Sequence, residues 1–235
     1  MQRFYLPPDN FIGDYAISTD LDFIKRLSLV LRAKEGDKFL LFNGDGREKL
    51  AQLLNIGKQE VKLLIIDDYS GPREPVRKIN LFLALLKADK LEWAVQKSVE
   101  LGAVSITPIV CKRSVSQSLI ANKSSRLKQI IKEATEQCGG SVLAGLQPLL
   151  PYKQALLSVA KSAGRNLIAW EDEDNNRLAD FASDQINLFI GPEGGFAKEE
   201  IEIALNLNFT AVSLGQRILR AETAPIAALS ILLLT

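Results

Sequence analysis

Histidine is absent from all 235 residues. That absence excludes imidazole general bases, His-containing triads and His metal sites together. The two cysteines, Cys111 and Cys138, are too few for a disulfide framework or a thiolate metal site, so no metal is expected. Neither sign of charge dominates: 29 basic against 28 acidic residues leave a net charge of +1. No global basic field announces nucleic acid, although a local basic face is enough to bind RNA. Long apolar runs are missing too. Ile226 to Leu234 falls short of the roughly 20 residues needed to cross a bilayer and reads as a buried helix. Met1 to Asn10 holds no apolar core of signal-peptide length, so a cytoplasmic, membrane-free protein is expected. Low-complexity tracts and solenoid-spaced repeats are absent. Any chemistry must run on carboxylates, Arg, Lys, backbone amides or a cofactor.

What remains is ordinary globular composition, 47% hydrophobic and 24% charged, in two textures. Up to about Tyr69, short apolar runs alternate with turn signals. Lys38 to Phe42, Lys49 to Leu54 and Val61 to Ile66 read as strands, and Asn43-Gly44-Asp45-Gly46 reads as a tight hairpin. Closely spaced strands favour a small β-barrel. Leu21 to Leu31 is the helical exception, with Leu27, Val30 and Leu31 on one stripe. Ser70 to Pro75, with two prolines around charged residues, is the candidate linker, giving domains over 1–72 and 73–235.

Beyond the linker, strand and helix alternate. Strands are expected at Ile79 to Leu86, Ser105 to Val110, Asn166 to Trp170, Ile186 to Ile190 and Ala211 to Leu214. Helices are expected at Asp89 to Leu101, with Asp89 as N-cap, at Ser125 to Gln137, at Lys198 to Asn206, and from about Ala224. This alternation predicts an α/β unit with a mostly parallel sheet.

Ligands of open parallel sheets sit beyond the carboxyl ends of the strands, and three loops there have unusual composition. Ile190-Gly191-Pro192-Glu193-Gly194-Gly195-Phe196 lets backbone approach a ligand, and Glu193 suits a positively charged one. No Gly-Lys-Ser/Thr follows, so it is not a P-loop. The same spacing also suits a simple chain-reversal turn. Leu214 to Ala224 carries Arg217, Arg220 and Glu222; Arg217 also reads as a solvated charge, and Thr223 as a helix cap. At the end of the first strand, Lys87 and Lys90 are either solvated or phosphate contacts, and spacing leaves this open.

Together these blocks resemble the 16S ribosomal RNA uracil-N(3) methyltransferases, the RsmE-like members of the SPOUT class. The resemblance runs through Arg3-Phe4-Tyr5, Val30-Leu31-Arg32 with Glu35-Gly36-Asp37, Lys90 to Trp93, Glu100-Leu101-Gly102, Arg113-Ser114-Val115, Glu133 to Gln137 and the two late loops. It implies a PUA-like N-terminal β-barrel that binds RNA, and a SPOUT-type parallel sheet closed by a C-terminal trefoil knot. It implies S-adenosylmethionine as cofactor, contacted by Leu85, Gly191, Pro192, Glu193, Gly194, Leu214, Gly215, Ile218, Leu219, Thr223 and Ala224. Arg220 and Glu222 are the implied catalytic pair, with Glu222 orienting the base, accepting its proton, or only anchoring Arg220. Arg3, Arg32 and Arg113 are implied contacts to small-subunit ribosomal RNA, and a homodimer is implied as the assembly. The chain departs from the family at Leu21 to Ile24 (a histidine pair is common), Cys138 to Gly140 (Arg is usual), Ala221 (for Thr) and Ala197 (for a capping Ser). A non-catalytic RNA-binding homologue, or a SPOUT enzyme acting on another RNA such as tRNA, are the alternatives.

Overall fold

The computed structural model describes residues 1–69, 74–114, 124–181 and 183–234. Most of the expected linker, and Val115 of the Arg113 block, lie outside the described residues. Two compact units emerge: Met1–Glu74 with Thr135–Leu143, and Pro75–Ala134 with Ala144–Thr235.

The first unit is a six-stranded mixed half-barrel. Its strands are β1 (Arg3–Tyr5), β2 (Phe11–Ile12), β3 (Tyr15–Ser18), β4 (Lys38–Phe42), β5 (Glu48–Ile56) and β6 (Val61–Tyr69), in the order β1-β4-β5-β6-β3-β2. The Asn43 to Gly46 turn joins β4 to β5 as an antiparallel hairpin, as its glycines predict. Phe4, Leu41, Leu53 and Leu63 fill the core, and Phe4 meets Phe23 and Phe39 edge-on. Segment 135–143 completes this unit. The Glu136 carboxylate accepts from the Tyr5 amide at 3.0 Å and pairs with Arg26, while Glu74 accepts from the Ser141 and Val142 amides at 2.6 and 3.0 Å.

The Leu21 to Leu31 helix needs correction. Helix α1 spans only Leu21–Lys25, and a π-turn follows over Arg26–Val30, closed by Leu31 N–H donating to the Arg26 carbonyl. The wider turn shifts the phase of the stripe, so Leu27 is buried while Val30 is 74% exposed.

The second unit is a seven-stranded, wholly parallel sheet. Its strands are β7 (Lys78–Ala84), β8 (Ser105–Val110), β9 (Gly145–Leu146), β10 (Leu150–Pro151), β11 (Arg165–Ala169), β12 (Gln185–Ile190) and β13 (Thr210–Val212). The order is β10-β8-β7-β12-β11-β13, with β9 also on β8. Helices α2 (Ala88–Leu101), α3 (Ser124–Cys138), α4 (Tyr152–Val159), α5 (Lys198–Asn206) and α6 (Thr223–Leu233) connect or close it. Lys87, not Asp89, is the N-cap of α2, and Asp89 sits in the first turn. There its charge still complements the helix dipole. Thr223 begins α6 rather than capping it; Glu222 holds the cap position. Helix α6 is buried on one face only, through Pro225, Ala228, Leu229 and Leu232, because it packs on α2 and β7 with the rest partly open.

A row of polar side chains crosses this sheet at one level. Ser105 Oγ donates to Asn80 Oδ1 (2.8 Å), Asn80 Nδ2 to Asn187 Oδ1 (2.9 Å), and Asn187 Nδ2 to Asn166 Oδ1 (2.8 Å) and Ser162 Oγ (3.1 Å). Asn187 is 1% exposed, so its amide must be satisfied from within. Two residues further along β7 and β12, Phe82 and Phe189 are register partners whose rings stack at 4.2 Å.

Asn187→Ala leaves the Asn80 donor and the Asn166 acceptor without their buried partner. We expect a loss of about 3 kcal/mol, seen as a lower denaturant midpoint with an unchanged slope.

Candidate active site

The carboxyl ends of β12, β11 and β13 are adjacent, so the loops that leave them meet along one edge of the sheet. They enclose a cavity of about 490 Å³, within the range of small-molecule sites. Its walls are the whole Ile190 to Phe196 loop, Ser213 to Ala221 with Ala224, Ala169-Trp170-Glu171 at the end of β11, and Lys90 from α2.

The glycine loop is built by backbone geometry. Gly195 lies at φ 67°, and its amide donates to the Pro192 carbonyl at 2.9 Å, closing the turn. A Cβ on Gly191 would sit 3.1 Å from the Phe196 ring, so only glycine lets the chain turn back there without moving the ring. Helix α5 then starts at Lys198 without a capping hydroxyl, because Ala197 has no side-chain acceptor. Glu200 supplies the reciprocal half of a capping box, accepting from the Ala197 amide at 2.9 Å. Its other oxygen accepts from the Lys112 amide at 2.9 Å, tying the loop's helix to the exit of β8. Arg113 adds a second tie, donating to the Gly194 carbonyl at 2.7 Å while its stem lies 3.3 Å from where a Gly194 Cβ would be. Beneath these ties, burial pushes the Cys111 thiol and the Tyr152 phenol far up, so both stay neutral.

Lys90 bridges the two late loops. Its ammonium lies 3.2 Å from Glu222 and 3.9 Å from Glu193, and Glu193 also accepts from the Lys87 amide at 3.4 Å. Glu222 is held below the ordinary carboxylate range, first by its own backbone amide and then by Lys90 and Arg220. Arg217 and Arg220 line the cavity, and neither has an ion pair among the described residues.

Of the residues marked in the sequence, Gly191, Pro192, Glu193, Gly194, Leu214, Gly215, Ile218, Leu219, Arg220 and Ala224 come together around the cavity. Leu85 is fully buried and off the lining; Thr223 and Glu222 are partly buried and also off it, Glu222 reaching the site through Lys90. In the first unit, Arg3 pairs with the buried Glu48 at 2.9 Å, and Arg32 is exposed in a left-handed conformation (φ 51°) that ends the π-turn. Sequence reasoning missed Ala169, Trp170, Glu171 and Ser213. The only available signal was that they follow the strands now seen beside β12 and β11.

Known proteins match this chain in sequence and in fold. Residues 72–233 match the family described as "RNA methyltransferase domain", and residues 29–66 match "RNA methyltransferase PUA domain". The chain is therefore an RNA methyltransferase by class. Ribosomal RNA small subunit methyltransferase E of Bacillus subtilis is 32% identical over 213 residues, covering 86% of this chain and 83% of that protein. Its namesake in Mesomycoplasma hyopneumoniae is 39% identical over 169 residues, covering 70% and 73%. A crystal structure of the Neisseria gonorrhoeae protein of that name, bound to S-adenosyl methionine, superposes with a TM-score of 0.88 at 32% identity, over 98% of this chain and 95% of that one. The chain belongs to the ribosomal RNA small subunit methyltransferase E family.

The lowered pKa of Glu222 carries a sign. Its stabilising interactions are present above the ordinary value of 4.5 and fade as pH falls through the lowered folded value. The melting-temperature gap between wild type and Glu222→Gln is expected to be open at pH 7 and to close toward pH 3. A gap that stays constant with pH would contradict the stabilisation of the charged carboxylate by its backbone amide, Lys90 and Arg220.

Proposed function

We propose that this protein transfers a methyl group from S-adenosylmethionine to the N3 position of a uridine in small-subunit ribosomal RNA. The observation that carries this reading is the cavity at the carboxyl edge of the parallel sheet, together with its likeness to a relative whose structure was determined with S-adenosyl methionine bound. The lining fits such a cofactor. Ile190, Leu214 and Leu219 offer apolar contact to a purine, the glycine turns offer close backbone, and Glu171 and Glu193 offer negative charge to a cationic ligand.

The bound cofactor supplies an already activated methyl, so the protein's task is to position and charge the acceptor. A uracil imide nitrogen is a poor nucleophile until its proton leaves, and negative charge then develops on the base. Arg220, on the cavity wall with no ion pair among the described residues, stabilises that charge. Glu222, bonded to Lys90 and outside the lining, positions the loop. Its lowered pKa makes it a weak base, which favours the orienting role over proton acceptance.

Under the same reading, residues 1–72, completed by 135–143, form the RNA-binding PUA-like barrel, and the rest of 73–235 forms the knotted catalytic domain. Arg3, Arg32 and Arg113 then face ribosomal phosphate, with Arg113 also bracing Gly194. The enzyme works as a cytoplasmic homodimer.

Calorimetric titration with S-adenosylmethionine should show saturable binding by wild type. Gly194→Trp should lose it, because an indole there displaces the Arg113 stem and fills the cavity. A folded wild type that binds nothing would remove the proposal. In methylation assays on small-subunit RNA, Arg220→Ala should lower kcat about a hundredfold. Glu222→Gln should lower it about tenfold while leaving the acid limb of the pH–rate profile where it was. Disappearance of that limb would restore Glu222 as the proton acceptor.

A further inference from the structure

Three carboxylates stand in or beside the cavity, and they are not equivalent. Glu193 and Glu222 share Lys90. Glu171, which leaves β11 one residue after Trp170, has no ion pair or hydrogen-bond donor among the described residues. The fold nonetheless makes room for it. A Cβ added at Gly195 would stand 2.2 Å from Glu171 Oε1, 3.1 Å from its Cδ and 3.2 Å from Oε2. The carboxylate therefore lies against the bare α-carbon of the glycine turn. Gly195 is required by the left-handed φ of 67°, and the flexible end of the Glu171 side chain rests in the space beside it.

Glu171 is exposed, so water satisfies its charge, and a cationic ligand entering the cavity meets a carboxylate that no described protein cation engages. Lys90 is already engaged by the other two acids, and Arg217 and Arg220 make no ion pair with Glu171 among the described residues. A cationic group of a ligand in the cavity therefore has this carboxylate within its reach.

We propose that Glu171 is the counter-charge for a cationic centre of S-adenosylmethionine, and so a binding residue of this site. The inference rests on the cofactor reading given above. S-adenosylmethionine brings two cationic centres, the sulfonium and the α-ammonium. The demethylated product, S-adenosylhomocysteine, keeps only the ammonium, because sulfur becomes a neutral thioether when its bond to the methyl carbon breaks and it retains the electron pair. Opposite charges at contact distance in a partly screened wall attract well above thermal energy, and salt weakens that attraction.

The test is calorimetric binding of both ligands to wild type and to Glu171→Gln, which keeps size and shape but removes the charge. Unchanged melting temperature confirms that the variant is folded. We expect S-adenosylmethionine to bind Glu171→Gln about tenfold more weakly, roughly 1.4 kcal/mol, with the difference shrinking as salt is raised. A loss confined to S-adenosylmethionine assigns the contact to the sulfonium, and an equal loss for both ligands assigns it to the ammonium. Both outcomes support the counter-charge. Wild-type affinity of the variant for both ligands overturns this inference alone. A wild type that binds neither ligand overturns the cofactor reading and this inference with it.

Discussion

The cavity-bearing edge of the sheet depends on the register of its central strands, and that register is set by amide hydrogen bonds between side chains. Strands rich in Leu, Ile and Phe are weakly particular about sliding past one another, since each apolar residue accepts another apolar neighbour. Asn80, Asn166 and Asn187 are particular. A slip of β7 against β12 would bury an amide opposite a hydrocarbon, at the cost of an unsatisfied donor or acceptor. The ladder lies toward the amino ends of the strands, and the stacked Phe82 and Phe189 continue the alignment toward the carboxyl ends. The glycine loop begins directly after β12, so its place follows from that alignment.

From there, order passes to the loops through a small number of charged groups. Glu200 holds the start of α5 to the chain leaving β8, and Arg113 clasps the Gly194 carbonyl. Lys90 joins acids from two loops that are 29 residues apart in sequence, Glu193 and Glu222. Loops alone would explore many arrangements, and each such tie removes some of that freedom before any ligand arrives. The departure at Ala197 is absorbed the same way: without a capping hydroxyl, Glu200 supplies the remaining half of the cap.

Much of this was legible in the residues themselves. Ser105–Val110 and Lys198–Asn206 have the bounds that periodicity predicts, because their apolar patterns are strong and their flanks contain turn residues. The Leu21 to Leu31 segment was misread because a π-turn changes the residues per turn, and no residue type announces it. The stretch around β9, β10 and α4 gave no sequence signal. Two-residue strands and an eight-residue helix are too short to show a period. The two late loops stood out by glycine and arginine content. Trp170, Glu171 and the bridging role of Lys90 did not, since their importance arises only when β11 is placed between β12 and β13.

The half-barrel is not a continuous stretch of chain. Residues 135–143 return to it after the first strands of the parallel sheet have been made, and Glu136 and Ser141 then meet Arg26, Tyr5 and Glu74. On a ribosome the barrel strands emerge first, yet the acid that neutralises Arg26 is synthesised 110 residues later. The barrel is thus finished only once much of the following unit exists. A gene cut at the linker would release a barrel lacking part of its own structure.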